Sequence, residues 1–340
     1  MASKKFSAYA VTIAAIVVVV LFFTSFMIGQ YQINPFGVIN IIGSQIFGFP
    51  CSESDMAQTI VWKVRLPRIC AALIIGAALS VAGAVYQGLF KNPMVSPDIL
   101  GASSGAGFGA ALAILLSLPY VFIQIDAFIF GILAVGVAYF ICTRVSRGKD
   151  ALLMLILSGM IVSTLFSSFI TLTKYVADPD DKLPEITYWL MGGLSTVSMQ
   201  DVLFLLAPVL IGLIPLTCLR WQLNAMAFGD EEAQAMGLNV KQLRVIFILL
   251  ATLLTAVSVA VGGMIGWIGL IIPHMARFMV GPNYKVLLPM SFLVGSSFLL
   301  IVDNVARNLF SVEVPLGILT SIIGAPFFFY LLLKRKKEQL

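Results

Sequence analysis

Residues 245–262 have the sequence VIFILLATLLTAVSVAVG, a stretch without a charged side chain. A helix needs about 20 predominantly apolar residues to cross the hydrocarbon core of a bilayer, so this segment predicts a transmembrane helix. Apolar segments of similar length lie on both sides of it, at about 201–219 and about 286–302. The chain is therefore predicted to cross a membrane several times.

The composition of the whole chain agrees with this prediction. Of the 340 residues, 60% are hydrophobic and 11% are charged, whereas a soluble domain has about 25% charged residues. So few charges cannot cover a surface that faces water, and a disordered chain would be polar and rich in charge. The predicted fold class is all-α, a polytopic membrane protein.

Apolar segments and the polar breaks between them predict about ten transmembrane helices in one integral membrane domain, residues 1–340. The expected spans cover about 8–29, 68–88, 99–117, 121–142, 151–173, 201–219, 245–262, 264–279, 286–302 and 315–333. Most of the 21 Lys and Arg residues then lie on the side of both termini, and the positive-inside rule makes that side cytoplasmic. The first apolar run is too long for a signal peptide and lacks a clear cleavage site.

The remaining polar composition argues against several other classes of protein. The net charge of +5 comes from Lys and Arg in short loops, so a nucleic-acid partner is not expected. The four cysteines form no CxxC pair and are predicted to be small apolar residues rather than a disulfide framework. His274 is the single histidine, so we expect no metal site and no catalytic cluster of a membrane enzyme. His274 is expected to be a packed or helix-capping residue.

Small residues recur every four positions in two of the predicted spans. They are Ala72, Gly76, Ser80, Ala84 and Gly88 in the second span, and Gly101, Gly105 and Gly109 in the third. This spacing places small residues on one helix face and lets a second helix approach closely. The pattern fits ordinary bundle packing, and it also fits a close interface that lines a pathway. The candidates for packing or pathway are Gly76, Ser80, Ala84, Gly101 and Gly105.

A charged loop at about 220–244 contains the pattern of a short helix, FGDEEAQAMG at residues 228–237. The acidic residues 230–232 would lie in its first turn, where the helix dipole favours negative charge, and Gly237 fits a C-terminal cap. Such a helix could be a plain surface connector. A helix that presents Ala and Met would also suit a groove on a partner protein.

Further blocks follow in order along the chain: R-L-P-R at 65–68, GAVYQGLFKNPMVSPDILG at 83–101, GLIIPHMAR at 269–277, and the Pro-Leu-Gly and Gly-Ala-Pro-Phe-Phe segments of 315–328. Together with the loop at 228–237, they resemble the FecCD family of ABC importer permeases, which import siderophores, haem, cobalamin and related metal chelates. The loop is similar to the family's EAA-type coupling loop, with Glu231, Ala233 and Gly237 in the matching places. Met94, Val95 and Asp230 are mild departures from the usual pattern.

The resemblance implies the membrane subunit of an ATP-driven metal-chelate importer in a bacterial cytoplasmic (inner) membrane. It implies a second permease subunit, with a homodimer favoured, two separate ATP-binding subunits and an extracytoplasmic substrate-binding protein. ATPase coupling is implied for Gly229, Asp230, Glu231, Glu232, Ala233 and Gly237. Binding-protein docking is implied for Arg65, Arg68 and Arg307, which the span assignment places on the outer side with side chains long enough to reach water.

The sequence lacks the phosphate-binding pattern GxxxxGK[ST], so no cofactor is expected in this chain and ATP is expected on the partner subunit. An ion-coupled secondary transporter is the alternative, but it would need acidic residues at mid-span. Asp98, Asp201 and Asp303 fall at span ends, although Asp126 could lie a few residues deep. Gln87 and Asn304 are further polar candidates that can reach an interface. The small and apolar groups do not distinguish a chelate from an oxyanion.

Overall fold

The computed structural model describes residues 2–145 and 151–338, and these residues form helices and connecting loops without a β-strand. In chain order the α-helices are α1 (Ala2–Ser25), α2 (Pro35–Phe47), α3 (Asp55–Thr59), α4 (Leu66–Leu89), α5 (Ala102–Leu115), α6 (Tyr120–Val145), α7 (Ala151–Val176), α8 (Lys182–Met191), α9 (Met199–Cys218), α10 (Arg220–Phe228), α11 (Asp230–Ala235), α12 (Val240–Gly262), α13 (Ile268–Val280), α14 (Tyr284–Ala306) and α15 (Leu316–Glu338). A π-helical turn, Ile60–Arg65, joins α3 to α4, and a 3₁₀ turn, Pro97–Leu100, precedes α5.

In the described part of the chain, residues 2–145 and 151–338, seven helical segments are long and apolar enough to cross a membrane. They are Ser7–Ser25, Asp55–Leu89, Tyr120–Val145, Leu152–Val176, Met199–Cys218, Val240–Gly262 and Tyr284–Ala306. The shorter apolar helices are Pro35–Phe47, Ala102–Leu115, Ile268–Val280 and Leu316–Tyr330. The predicted class, an all-helical membrane protein, is confirmed.

The segment between the first two predicted spans contains structure that the sequence reading did not anticipate. It includes α2, which begins after the capping side chain of Asn34 and ends at Gly48, where φ is 74°. The second span also begins earlier than predicted, because α3, the π turn and α4 form one helix from Asp55 to Leu89. In the π turn the Leu66 N–H donates to the Val61 carbonyl. This wider turn comes just before Pro67, which has no N–H to donate to the carbonyl four residues earlier.

Helix α4 is largely buried in the bundle, and its small residues let two neighbours, α13 and α14, approach it closely. A Cβ atom on Gly76 would lie 2.3 Å from the Gly295 carbonyl oxygen of α14. A Cβ on Gly83 would lie 1.8 Å from the Gly269 carbonyl oxygen of α13. Ser80 lies against Gly295, and Ala84 accepts a hydrogen bond from Tyr284 through its carbonyl at 3.0 Å. This face of α4 therefore contacts other helices rather than lipid.

Helices α5 and α6 make a second close contact through glycine. A Cβ atom on Gly105 would lie 2.4 Å from the Phe130 carbonyl oxygen. Gly101 has a different role, because it adopts φ 88° between the 3₁₀ turn and α5. Only a residue that tolerates a left-handed backbone can end the turn and start the helix there. These glycines fix the position of α5 next to the cavity described below.

Candidate functional site

Two polar clusters lie at opposite ends of the antiparallel helices α4 and α14. At the start of α4 and the end of α14 is the arginine cluster, formed by Arg65, Arg68, Asp303, Arg307 and Glu313. At the other end is the glutamine cluster, formed by Gln87, Arg277 and Tyr284. Helices α10 and α11 lie at the glutamine end, where Asn224 of α10 accepts a hydrogen bond from the Tyr284 N–H at 2.9 Å.

The arginine cluster is a network of buried ion pairs. The Arg68 Nε atom lies 2.8 Å from Asp303 Oδ1, and its Nη1 atom lies 2.8 Å from both carboxylate oxygens of Glu313. Arg307 shares the same aspartate, with Nε 3.2 Å from Asp303 Oδ2. Because Asp303 pairs with two arginines, it is the centre of the network. Only Glu313 reaches the surface, with 38% of its side chain exposed.

Two arginines of the cluster, Arg65 and Arg307, also hold the residues just after α1. Arg65 donates hydrogen bonds to the carbonyl oxygens of Phe26 and Tyr31. Arg307 donates to the Ile28 carbonyl oxygen at 3.2 Å and to the side chain of Asn304. Backbone carbonyls just beyond a helix C-terminus lack intrahelical donors, so a guanidinium group stabilises them.

The expectation that the three arginines reach water is wrong. Arg65, Arg68 and Arg307 are 3%, 4% and 6% exposed. Arg65 and Arg68 lie inside a helix that begins ten residues before Arg65, at Asp55. Arg65 contacts the residues after α1, and Arg68 is paired with Asp303 and Glu313. Their predicted part in docking a binding protein is not tested by these contacts and stays a prediction.

Helix α11 lies in the predicted coupling loop and has the predicted cap. Gly237 has φ 81° and donates through its N–H to the Gln234 carbonyl at 2.9 Å. Asp230 forms ion pairs with Arg244 at 2.5 Å and with Lys91 at 3.8 Å. Glu231 and Glu232 are exposed, whereas Gly229 and Ala233 are buried. Two of the residues assigned to coupling therefore face the protein itself.

Two apolar residues of this loop, Phe228 and Met236, are exposed, and only Met236 was considered in the sequence analysis. Phe228, the last residue of α10, is 78% exposed. Met236, which the helical pattern had suggested for a partner groove, is also exposed, but Ala233 is not. A large exposed aromatic side chain in a charged loop is the signal that could have identified Phe228 as a candidate contact residue.

The glutamine cluster joins three helices through hydrogen bonds. The Gln87 amide nitrogen donates to the Leu270 carbonyl oxygen at 3.0 Å and lies 3.4 Å from the Gly269 carbonyl oxygen. Arg277 donates to the Gln87 amide oxygen. The Tyr284 hydroxyl donates to the Ala84 carbonyl at 3.0 Å. Gln87 and the motif that contains Arg277 were both noted in the sequence. Their hydrogen bond was not predicted, because the two residues are 190 positions apart in the chain.

A cavity of about 540 Å³ lies between the start of α5, the end of α8, the segment before α13 and the start of α15. Its lining includes Asp98, Ser103, Met191, Met264, Trp267 and Ser321. Trp267 has φ 69° and packs against Gly324, where a Cβ atom would lie 2.6 Å from the indole. The described lining is mostly apolar, with one carboxylate and no Lys or Arg.

The other sequence candidates have local structural partners. His274 contacts Phe278 edge to face, with ring centroids 4.8 Å apart. Asp201 forms a capping box with Ser198 and accepts a hydrogen bond from Gln124 at 2.7 Å. Asp98 accepts hydrogen bonds from Ser96 and Ser103. Among the described residues no group of three His, Cys, Asp or Glu is placed to hold a metal ion.

The structure is that of a multi-pass membrane protein, with apolar helices, a mostly apolar cavity and a short helix in a charged loop. The FecCD transport family matches residues 17–334, and the chain belongs to this family. The predicted resemblance is confirmed, as are the functions that go with it: a permease subunit of an ABC importer and a multi-pass inner-membrane location.

Relatives with assigned roles differ in the cargo that their names give. The chain is 42% identical over 280 residues to the molybdate import permease MolB of Haemophilus influenzae, covering 82% of each chain. It is 39% identical over 284 residues to a probable iron chelatin transport permease of Helicobacter pylori, covering 84% of this chain and 85% of the relative.

One solved structure is similar over almost the whole chain. It is described as an inward-facing conformation of a putative metal-chelate type ABC transporter. The two chains are 38% identical, with a TM-score of 0.83, and the match covers 96% of this chain and 99% of the other. The relatives are permease subunits rather than enzymes.

Proposed function

We propose that this chain is the membrane subunit of an ATP-driven importer that moves a metal chelate from an extracytoplasmic binding protein into the cytoplasm. The observation that carries the proposal is the 96% coverage and 0.83 TM-score against a transporter described as metal-chelate type. The iron chelatin permease of Helicobacter pylori and the hemin permease HmuU of Yersinia pestis, 36% identical over 299 residues, support the same cargo class.

The proposal includes a single permease domain, residues 1–340, with ten transmembrane helices and both termini in the cytoplasm. The seven long apolar segments would be joined in the membrane by α5, α13 and α15. Helices α5 and α13 have 14 and 13 residues, so each needs its flanking turn to complete a crossing. Helix α2 would then lie at the outer surface. The excess of Lys and Arg on the side of the termini supports this orientation.

Two permease subunits would assemble with two ATP-binding subunits, and we expect the two permease subunits to be identical. ATP would bind to those partners, with no cofactor in this chain. Residues Gly229, Asp230, Glu231, Glu232, Ala233 and Gly237 would form the coupling segment, with Phe228 and Met236 as its exposed apolar contacts. Exposed apolar side chains flanked by acids suit a groove on a protein partner.

A binding protein would dock at the arginine end. The arginine cluster has three guanidinium groups and two carboxylates, so its excess positive charge supports an acidic partner. Because Arg65, Arg68 and Arg307 are buried, their effect would act through the local potential and through exposed Glu313 rather than through a protruding patch.

The cavity beside Trp267 would form part of the pathway, with the small-residue helices α4 and α5 as its support. Molybdate is the rival cargo, because the relative that is 42% identical imports it. A free oxyanion gains little from a lining with one carboxylate and no cation, whereas a chelate with apolar surface can pack against Met191, Met264 and Trp267.

Competition for uptake tests the cargo. Cells that express the permease with its partner subunits would receive radioactive iron as a ferric chelate, with excess molybdate or excess unlabelled chelates as competitors. We expect the matching unlabelled chelate to reduce uptake of the labelled iron, and excess molybdate to leave that uptake unchanged. Uptake of labelled molybdate that ferric chelates do not reduce would replace the chelate proposal with an oxyanion importer.

A further inference from the structure

Helix α13 contains Pro273, and this proline leaves a carbonyl group without its usual partner. Proline has no backbone N–H, so the Gly269 carbonyl, four residues earlier, lacks the regular α-helical hydrogen bond from residue 273. The amide nitrogen of Gln87 on α4 points at this gap, 3.0 Å from the Leu270 oxygen and 3.4 Å from the Gly269 oxygen. A side chain from another helix thus donates at the interruption, with its shorter bond to Leu270 and a longer one to the Gly269 carbonyl.

Arg277 determines which way the Gln87 amide faces. It lies one turn after Pro273 on the same helix and donates a hydrogen bond to the Gln87 amide oxygen. An arginine side chain can only donate, so the oxygen of the amide must face it and the NH₂ group must face the carbonyls. Gln87 is 3% exposed, so water does not compete for these bonds.

The start of α13 is also held tightly on both sides. The Gly269 carbonyl lies so close to α4 that a Cβ on Gly83 would be 1.8 Å from it. On the other side, a Cβ on Gly269 would be 2.4 Å from the ring of Pro97. Trp267 and Met264, just before α13, line the cavity. A shift of α4 at Gln87 therefore has to move this cavity wall.

The glutamine cluster also contacts the loop that carries α10 and α11. Lys91, four residues after Gln87, forms an ion pair with Asp230 of α11 at 3.8 Å. Asn224 of α10 accepts a hydrogen bond from the Tyr284 N–H and donates one to Asn283 at 3.1 Å. The path from this loop to the cavity wall thus consists of directly contacting residues.

We propose that Gln87 is a positioning residue for energy coupling: it ties the proline-interrupted start of α13 to α4, so that displacement of the α10–α11 loop moves the cavity wall at residues 264–267. The inference rests on the proposed function, because it needs an ATP-binding partner that moves this loop. A purely structural role for Gln87 would predict only lower stability when it is replaced.

The test measures how nucleotide changes access to the cavity wall. The transporter is assembled with its ATP-binding subunits, with the four native cysteines replaced and Met264→Cys as the labelling site. The rate of maleimide labelling is compared without nucleotide and with ATP plus vanadate. Couplings between sites are commonly at least about fivefold, so we expect a rate change of about fivefold or more in the transporter with Gln87. Gln87→Met should remove most of that change.

Gln124→Met is the matched control. Gln124 is also 3% exposed and donates to a neighbouring helix, to Asp201 at 2.7 Å, but it has no hydrogen bond to α13. Its replacement should cost stability and leave the nucleotide-dependent change in labelling intact. If Gln87→Met retains the change as Gln124→Met does, the inference is wrong.

A double variant tests whether Gln87 acts in coupling or only supplies a hydrogen bond to the Gly269 carbonyl. Pro273→Ala restores a backbone N–H that can donate to the Gly269 carbonyl. Gln87→Met with Pro273→Ala should therefore recover assembly yield but not the nucleotide-dependent labelling, because α4 and α13 remain untied. Recovery of the labelling change would overturn the inference. If the transporter with Gln87 intact shows no nucleotide response at all, the proposed function itself is contradicted, and this inference fails with it.

Discussion

The two ends of the α4–α14 pair hold their neighbours by different physical means. At the arginine end, buried guanidinium groups pair with Asp303 and with carbonyls after α1. At the glutamine end, neutral amide and hydroxyl groups bond to carbonyls of α4 and α13, and Arg277 adds one hydrogen bond to the Gln87 amide. Breaking a buried ion pair costs about 3–5 kcal/mol, whereas leaving a buried hydrogen-bonding group without its partner costs about 1–3 kcal/mol. The arginine end is therefore expected to be the fixed end and the glutamine end the one that moves.

The largest effect is expected from Asp303→Ala. This change leaves Arg68 and Arg307 without the carboxylate they share, so it should destabilise the protein by about 3–5 kcal/mol. Thermal unfolding in detergent measures the loss. Asp55→Ala, which removes an exposed carboxylate at the start of α3, is the control and should change stability little. Equal stability of the two variants would contradict the role of the arginine end as an anchor.

Gly83→Ala tests the close contact at the glutamine end. The added methyl group would meet the Gly269 carbonyl oxygen, so the helices must separate, at a cost of about 1–3 kcal/mol. Gly136→Ala is the control, because no atom lies within 4 Å of its added Cβ. That variant should match or exceed the original stability, since Ala favours a helix over Gly by about 1 kcal/mol. If Gly83→Ala were as stable as Gly136→Ala, the close contact between α4 and α13 would not contribute to stability.

Gly237→Pro tests the coupling loop at the glutamine end. Proline cannot adopt the φ of 81° found there and cannot donate to the Gln234 carbonyl. We expect normal membrane insertion but loss of the ATP hydrolysis that the loaded binding protein stimulates. Stimulated hydrolysis in the reconstituted complex measures the effect. Full stimulation in a correctly inserted variant would remove α11 from the coupling path.

The smallest effect is expected from Glu313→Gln at the arginine end. It removes one half-exposed carboxylate, while Arg68 keeps Asp303, so stability should change by about 1 kcal/mol or less. The positive potential of the cluster rises, and affinity for an acidic binding protein should increase at low salt and less at high salt. Binding at two ionic strengths checks this. Unchanged affinity at low salt would place docking elsewhere.

The sequence predicted features that depend on neighbours in the chain and missed those that depend on distant partners. Apolar length located the membrane helices, and Gly237 was recognised as a cap because a helix end is a local structure. The burial of Arg68 was missed because its partner Asp303 lies 235 residues away. Gln87 was a polar candidate in the sequence, but its partners were not. Its hydrogen bonds to Leu270 and Arg277 join positions 183 and 190 residues apart, so they could be found only from the packing of α4 on α13.

Uptake into proteoliposomes tests the central claim most directly. The permease is reconstituted with its ATP-binding subunits, a binding protein is added outside, and accumulation of a radioactive ferric chelate is followed with and without ATP inside. Ionophores that collapse proton and sodium gradients are added in parallel. An ATP-driven importer predicts accumulation that requires ATP and survives the ionophores. Accumulation that occurs without ATP and disappears with the ionophores would contradict it and identify an ion-coupled transporter.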